Sequence, residues 1–522
     1  MNRRRFLAAL GFATATQNWV RYGLDPVQSD QVSSDAVPSD AVPSEISPTR
    51  FPYVQNVQNN KATILWATLE NGVGSLRYTS DGVSYQGAPA RSRTFRPAET
   101  GLPVPYTLYQ ATLTGLSPNT EYFYNAFVSG ATVLGGGDLR FRTAGPGPFN
   151  FCVLGDSGVG DSGLGNSEHQ YLIARQLLAE KPSMVVHVGD VVYPDGTHEL
   201  YGRNHFNYYY ASMGSVPFFP APGNHDYNVQ GALPYLAVHS LPSDSVPVAE
   251  RGRYYSYDWG NVHFVSLDSN LPLERAASGA GQMLRWLNND LQTTRQFWRV
   301  VYFHHPPYAG GPNQNDGACR LIREQVVPIL ETYGVQVVLS GHEHSYQRSH
   351  PMRKGNIVAP NAGINYFVAG GGGALLYPVY RRPEVAFGES EHHYLRVEVR
   401  GSRMDVHAIR YDGTEIETTT LTPRPMFTDD PNIKPVSFQP APVAGALVRI
   451  VGRSLSTEES TFCSSALPDE MFGTSVTIND RPLSLVYVSN TQVFAQLPFT
   501  VDGNITVKVT TPNGTAVTSV QG

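Results

Sequence analysis

Asp156, Asp190, Tyr193, Asn224, His304, His342 and His344 are the residues of this chain whose types and positions most directly imply chemistry. Each follows closely on a short apolar run. Phe151-Cys-Val-Leu154 leads into Gly155-Asp156-Ser157-Gly158, and Met184-Val-Val-His-Val188 into Gly189-Asp190-Val191-Val192-Tyr193. A proline-broken run over residues 216–222 ends in Gly223-Asn224-His225-Asp226. Val300-Val-Tyr-Phe303 ends in His304-His305-Pro306, and Val335-Gln-Val-Val-Leu339 in Ser340-Gly341-His342-Glu343-His344. A lone Gly-Asp after a strand is ordinarily a turn. Five such ends, each delivering an Asp, Asn or His, imply convergence on one cleft, because ligands of open α/β folds gather at the carboxyl ends of the strands. The glycines let the backbone turn sharply so that the next side chain points inward. Oxygen and imidazole donors without thiolate select iron, zinc or manganese. Two carboxylates, an amide and three histidines exceed the four ligands that a zinc ion needs. Two ions sharing a carboxylate, about 3.5–4 Å apart, fit better and recur in phosphoester hydrolases.

Positioning these residues requires a buried sheet. The apolar runs alternate with helical patterns over residues 169–181, 282–291 and 321–333, the signature of strand–helix units. At 522 residues the chain is too long for one core. Residues 51–143 alternate short apolar-aromatic runs with turn clusters and read as all-β. Beyond residue 425 the chain turns proline-rich and then all-β again. The expected fold is therefore a central α/β domain flanked by two all-β sandwiches, which resemble immunoglobulin-like domains. Its boundaries fall at a signal segment 1–24, a disordered linker 25–48, a β domain 49–146, the α/β domain 147–425, a linker 426–436 and a second β domain 437–522. The linker contains the direct repeat Ser34-Asp-Ala-Val-Pro38, Ser39-Asp-Ala-Val-Pro43.

A net charge of −6 carries no basic signature for nucleic acid or anionic membrane. Three cysteines, Cys152, Cys319 and Cys463, are too few for a disulfide scaffold or thiolate metal site, and Cys152 reads as core. Arg3-Arg4-Arg5-Phe6-Leu7 precedes an apolar stretch too short to span a membrane. It resembles a twin-arginine export signal, which implies a periplasmic or extracellular protein without a transmembrane anchor.

Together the motifs GD, GDxxY, GNHD, the HxP loop and GHxH resemble the calcineurin-like metallophosphoesterases, and within them the purple acid phosphatases. The stretch from Leu113 to Tyr124, LTGLSPNTEYFY, is similar to a fibronectin type III domain, and the C-terminal part to a TIG-type domain. In the generic superfamily pattern a metal-binding histidine stands two residues after the first Asp. Here that position is Gly158, and the tyrosine of the purple phosphatase pattern is present as Tyr193.

The resemblance implies a first metal held by Asp156, Tyr193 and His344, a second by Asn224, His304 and His342, and Asp190 bridging both. A phenol, with an ordinary pKa near 10, ligates at neutral pH only under a strong Lewis acid. That points to Fe(III) beside a divalent Zn, Fe or Mn. Three ionised ligands against this pair leave two positive charges over, which suits a small-molecule phosphate monoester dianion. The implied reaction is in-line attack of a metal-bound hydroxide on phosphorus. His225 is the implied general acid, with Asp226 orienting it and His305 meeting phosphate or bracing a ligand. Plant-type members carry further histidines after the fourth motif. Residues 308–317, YAGGPNQNDG, have none, and Tyr308, Asn313, Asn315 and Asp316 are the candidates to line the pocket instead. Two alternatives stand beside this reading: diester or nucleotide cleavage on the same metals, and a binding protein whose two β domains do the work. His169, His198 and His392-His393 lie off the motif ends and read as surface or packing residues. Oligomeric state is not legible.

Overall fold

The computed structural model describes residues 46–521 except 134–138, 272–278, 429–431, 440 and 463–466. The export segment 1–24, most of the linker 25–48 and Cys463 lie outside the described residues. Among the described residues, no helix is long and apolar enough to cross a membrane.

The central region is built from two sheets facing one another. In chain order its strands are β1 (Phe149–Leu154), β2 (Met184–His187), β3 (Phe218–Pro220), β4 (Tyr255–Trp259), β5 (Val262–Ser266), β6 (Trp298–Tyr302) and β7 (Val337–Ser340). They continue with β8 (Tyr346–Ser349), β9 (Asn365–Ala369), β10 (Val385–Glu389), β11 (His393–Arg400), β12 (Arg403–Arg410) and β13 (Glu415–Leu421). One sheet runs in the order β3-β2-β1-β11-β12-β13, the other β4-β5-β6-β7-β9-β8-β10. Strands β1, β2 and β3 are mutually parallel, as are β5, β6, β7 and β9. Parallel strands covered on both faces must be apolar throughout, and β2, β5, β6 and β7 are buried at every residue. Parallel pairing also brings their carboxyl ends to one edge, which is where the predicted donors stand.

The helical patterns fall at Ser167–Glu180, Gly279–Thr293 and residues 317–332, the last interrupted by a π-helical turn, Ile322–Val326. Helix Ser167–Glu180 starts because the Asn166 side chain accepts from the backbone N–H of Glu168 and His169, each at 3.1 Å.

The N-terminal β region is a two-sheet sandwich. One sheet is ordered Pro48–Gln55, Lys61–Thr68, Tyr106–Thr114, Arg91–Phe95, and the other is centred on Gly74–Thr79 and Glu121–Val128. Order begins before residue 49: Ile46 bridges Val133 and donates its N–H to Thr132. This sandwich and the central region share one hydrophobic core. Buried polar contacts tie them: Tyr53 Oη donates to the Val238 carbonyl at 2.8 Å and Tyr124 Oη to that of Gly214 at 2.7 Å. His198 sits in the same seam, against Tyr106 Oη at 2.9 Å, so its packing role holds.

The C-terminal sandwich has a separate core that includes Val448, Ile450, Leu485, Val493 and Val507. Met426–Phe427, assigned above to a linker, already pair with Leu447–Arg453 and so belong to this domain's sheet. Asn490 anchors the domain to the centre, donating to the carbonyls of Gln296 and Phe297 at 2.9 and 3.2 Å.

His263 on β5 lies between two carboxylates, Nδ1 2.6 Å from Asp258 and Nε2 2.8 Å from Asp290. Burial opposes its charge, but the two aspartates win and push its pKa up to about 9. A raised folded pKa contributes stability that is complete below pH 6.5 and lost as pH rises through 9. Asp258 is half exposed, so solvent screening trims the effect to on the order of 2 kcal/mol. Thermal melts of His263→Gln against the native chain should therefore differ most near pH 6 and converge by about pH 9.5. A gap independent of pH would assign the loss to packing alone.

Candidate metal centre

All seven predicted donors converge at the carboxyl ends of β1, β2, β6 and β7 and in the turn after β3. Three of them reach the cleft only through unusual backbone: Asp156, Asp190 and His342 have φ of 54°, 51° and 67°. Non-glycine residues in the left-handed region are uncommon and gather at functional sites.

Tyr193 Oη lies 3.1 Å from Asp156 Oδ1, 2.9 Å from Asp190 Oδ2 and 3.2 Å from His344 Nε2. On the other side of Asp190, His304 Nε2 is 3.3 Å from the same Oδ2 and 3.1 Å from Asn224 Oδ1. Asp190 is thus the carboxylate common to two donor groups. The His342 backbone N–H donates to both oxygens of Asp156, at 3.0 and 3.1 Å. Its ring stands beside His304 and His305, with nitrogens close enough for the three to share an ion.

The donor chemistry fits a cation pair. Asp156, Asp190 and His304 are fully buried, and among the described residues only histidines pair with the two carboxylates. His304 Nδ1 is engaged by the Val188 carbonyl at 3.0 Å and His344 Nδ1 by that of Leu375 at 2.6 Å. A ring that donates Nδ1–H to a carbonyl turns the lone pair of Nε2 toward the carboxylates. Acceptors then face acceptors, and positive charge must stand between them. In the bare protein protons supply it. Burial disfavours charge on His304, but Asp190 and Asp156 push its pKa up to about 9, and Asp156 likewise raises His344. Burial would raise Asp190, yet His304 and then His225 hold its carboxyl below the usual range. Burial, then Asp156 and Asp190, push the Tyr193 phenol well up, so it donates to both carboxylates as a neutral group.

Gly158 explains why a tyrosine occupies this position. A side chain there is excluded, because a Cβ would lie 2.0 Å from the Val191 carbonyl and 2.5 Å from Val192 Cα. Gly158 instead bridges Val192 and accepts the Tyr193 N–H at 2.9 Å, packing the tyrosine segment onto the place a histidine would need. In comparison with known families, the calcineurin-like phosphoesterase model matches residues 149–346. These residues form a calcineurin-like phosphoesterase domain.

Its relatives include purple acid phosphatases. Mouse acid phosphatase type 7 is 26% identical over 346 residues, covering 58% of this chain and 74% of the relative. An uncharacterized protein of Mycobacterium tuberculosis is 28% identical over 342 residues, or 55% of this chain. The matched part spans 63% of the mycobacterial protein, less than two thirds of its length. Among solved structures, a purple acid phosphatase from yellow lupin seeds shares the fold with TM-score 0.63 at 18% identity, over 72% of this chain and 75% of that one.

Around the phosphoesterase donors, the remaining predicted residues divide. His225 donates its backbone N–H to Asp190 Oδ1 at 2.8 Å, and its ring Nδ1 meets the Pro194 carbonyl at 2.6 Å. Asp226 does not touch that ring, contrary to the expected orienting role. Its buried carboxylate accepts from the N–H of Gly223 at 2.8 Å and Val191 at 3.2 Å and from Tyr201 Oη at 2.5 Å. The physical reason is the tight turn at 224–227, which sends Asp226 back beneath its own loop. There, burial and then Asp190 push its pKa up to about 7. His305 is buried with Nδ1 2.7 Å from Ser269 Oγ, and its ring centroid lies 4.5 Å from that of His342. Of the loop candidates, Asn313 and Asp316 reach the GHEH turn. Tyr308 instead stacks edge-on with Tyr366, 5.0 Å between centroids.

Three contributors escaped sequence reading. Tyr377 stacks on His344 with ring centroids 4.1 Å apart and lines the rim. Asp268, after β5, pairs with Arg253 at 3.7 Å and accepts from Tyr227 Oη, bracing the Asn224 turn. Ser269 holds His305. The one usable signal was that Leu267-Asp268-Ser269-Asn270 is itself a polar strand end.

Proposed function

We propose that this protein is an exported dinuclear metal phosphatase that hydrolyses small-molecule phosphate monoesters. The observation that carries the reading is Asp190, whose single Oδ2 is shared between the Tyr193 and His304 groups. In this reading Asp156, Tyr193 and His344 hold Fe(III), Asn224, His304 and His342 hold a divalent Zn, Fe or Mn, and Asp190 serves both. Bound ions supply Lewis acidity toward the phosphoryl oxygens and an activated water. The chain supplies the rest. His225 has Nδ1 engaged by Pro194, which leaves Nε2, 4.0 Å from Asp190 Oδ2, to deliver a proton to the departing ester oxygen. Ser269 fixes His305 so that its free edge meets a phosphate oxygen. Tyr377 and Asn313 wall the pocket. Export rests on the basic-apolar start, residues 3–15.

The test is hydrolysis of a mono-aryl phosphate against a bis-aryl phosphate by purified protein of measured metal content. The expected result is a kcat/KM at least about tenfold higher for the monoester, the discrimination that 1.4 kcal/mol supplies. Preference for the diester would instead support the alternative cleavage on the same metals. A metal-loaded protein inactive on both would favour a binding role.

A further inference from the structure

We infer that Asp316 and Glu343 are positioning residues that hold His342 as a ligand of the second metal, an inference that rests on the dinuclear reading above. In the bend over residues 341–345, His342 and His344 face the cleft while the Glu343 side chain packs against the loop at residues 311–313. Glu343 is completely buried. Its Oε1 accepts the Asn313 backbone N–H at 2.7 Å, while its Oε2 is buried without a hydrogen-bond partner. That oxygen lies against Gly311, where a Cβ would come within 1.8 Å of it, so the loop packs onto the carboxylate as closely as glycine permits. The grip sets the course of the loop, and three residues beyond Asn313 it delivers Asp316. Asp316 Oδ2 then lies 3.0 Å from His342 Nε2.

One segment therefore is held from behind by Glu343 and reaches over the front to His342. The consequence for the imidazole is specific. A carboxylate at Nε2 fixes the tautomer with Nε2–H donating outward and leaves Nδ1 as the ligating nitrogen. It also stops rotation of a ring whose backbone is already in the left-handed region. Asp316 acts through its contact with Nε2, orienting the ring as a ligand.

The experiment compares native protein with Asp316→Ala, Asp316→Asn and Glu343→Ala, each loaded with iron and zinc and dialysed against increasing chelator. Iron and zinc are counted by elemental analysis, and the visible band of the tyrosinate is recorded. Loss of a partner that orients a metal-bound histidine ordinarily costs about 10–100-fold in affinity. Asp316→Ala should release zinc at correspondingly lower chelator while iron and the visible band persist. Asp316→Asn, whose amide oxygen still accepts from Nε2–H, should recover part of the loss. Glu343→Ala should shift zinc in the same direction, and with Asp316→Ala the shifts should be less than additive, because both act through one loop. Zinc release unchanged in Asp316→Ala, or iron and zinc lost together in every variant including Asp316→Asn, would overturn the proposal. Native protein that binds neither metal would instead overturn the dinuclear reading beneath it.

Discussion

Asp190→Ala is expected to empty both metal positions and to reduce phosphatase activity by at least about 10³-fold, more than the loss of a single transition-state contact. Among the described residues, Asp190 is the carboxylate in contact with both the Tyr193 and the His304 side chains. Its Oδ2 meets Tyr193 and His304, and its Oδ1 takes the His225 backbone N–H. The turn at Gly223 is packed so closely that a Cβ there would lie 2.1 Å from Oδ1. Removing Asp190 would withdraw the single negative charge that two bound ions would share, and it frees the Asn224 turn that Asp190 anchors through the His225 N–H. Elemental analysis after gel filtration reads the outcome directly. Retention of both metals at native stoichiometry would show that the two groups are held independently and would end the shared-ligand assignment.

Tyr193→Phe should abolish a visible absorption band of the native protein while the domain stays folded. The hydroxyl donates to two buried carboxylates, and burial with those charges holds the phenol far from ionisation in the bare protein. In the proposed reading a tyrosinate at this position would be held by a trivalent ion, and an Fe(III) charge-transfer colour would be its signature. Phenylalanine keeps the ring against His225, and the backbone contact with Gly158 does not involve the side chain and survives. The substitution removes the one neutral side-chain donor that Asp156 and Asp190 share among the described residues. The metal-free variant should lose about 1–3 kcal/mol, the penalty for buried acceptors left short of a partner, read as a lower melting temperature. Native protein that is colourless while fully loaded with zinc or manganese would remove iron from the reading and leave the dinuclear site intact.

Little of this chemistry depends on regions of ambiguous pattern. Apolar runs that are buried on both faces are marked by residue type alone, and β1, β2, β5, β6 and β7 fall within a few residues of their predicted places. Errors concentrated where a boundary is set by pairing rather than composition. Ile46 and Met426–Phe427 look like linker because they are flanked by proline and polar residues, yet partners distant in sequence satisfy their backbones. Asp226 misled for a related reason. Adjacency to His225 suggested contact, but a turn separates neighbours, and Tyr201, Val191 and Gly223 claimed the carboxylate.

By itself the sequence picked out the seven candidate donors and their common origin at strand ends, because each is preceded by an apolar run and most by a glycine, and both signals are local. Tertiary structure alone decided which donors share an oxygen, since Asp190 meets Tyr193 three residues away and His304 more than a hundred residues away. It also decided the meaning of Gly158. In the sequence that residue is only a missing histidine; in the fold it is the surface on which the tyrosine segment lies, with the Val191 carbonyl filling the space a side chain would need. The roles of Asp316, Glu343 and Tyr377 were likewise invisible in one dimension, because loops without periodicity acquire function only through what they are packed against.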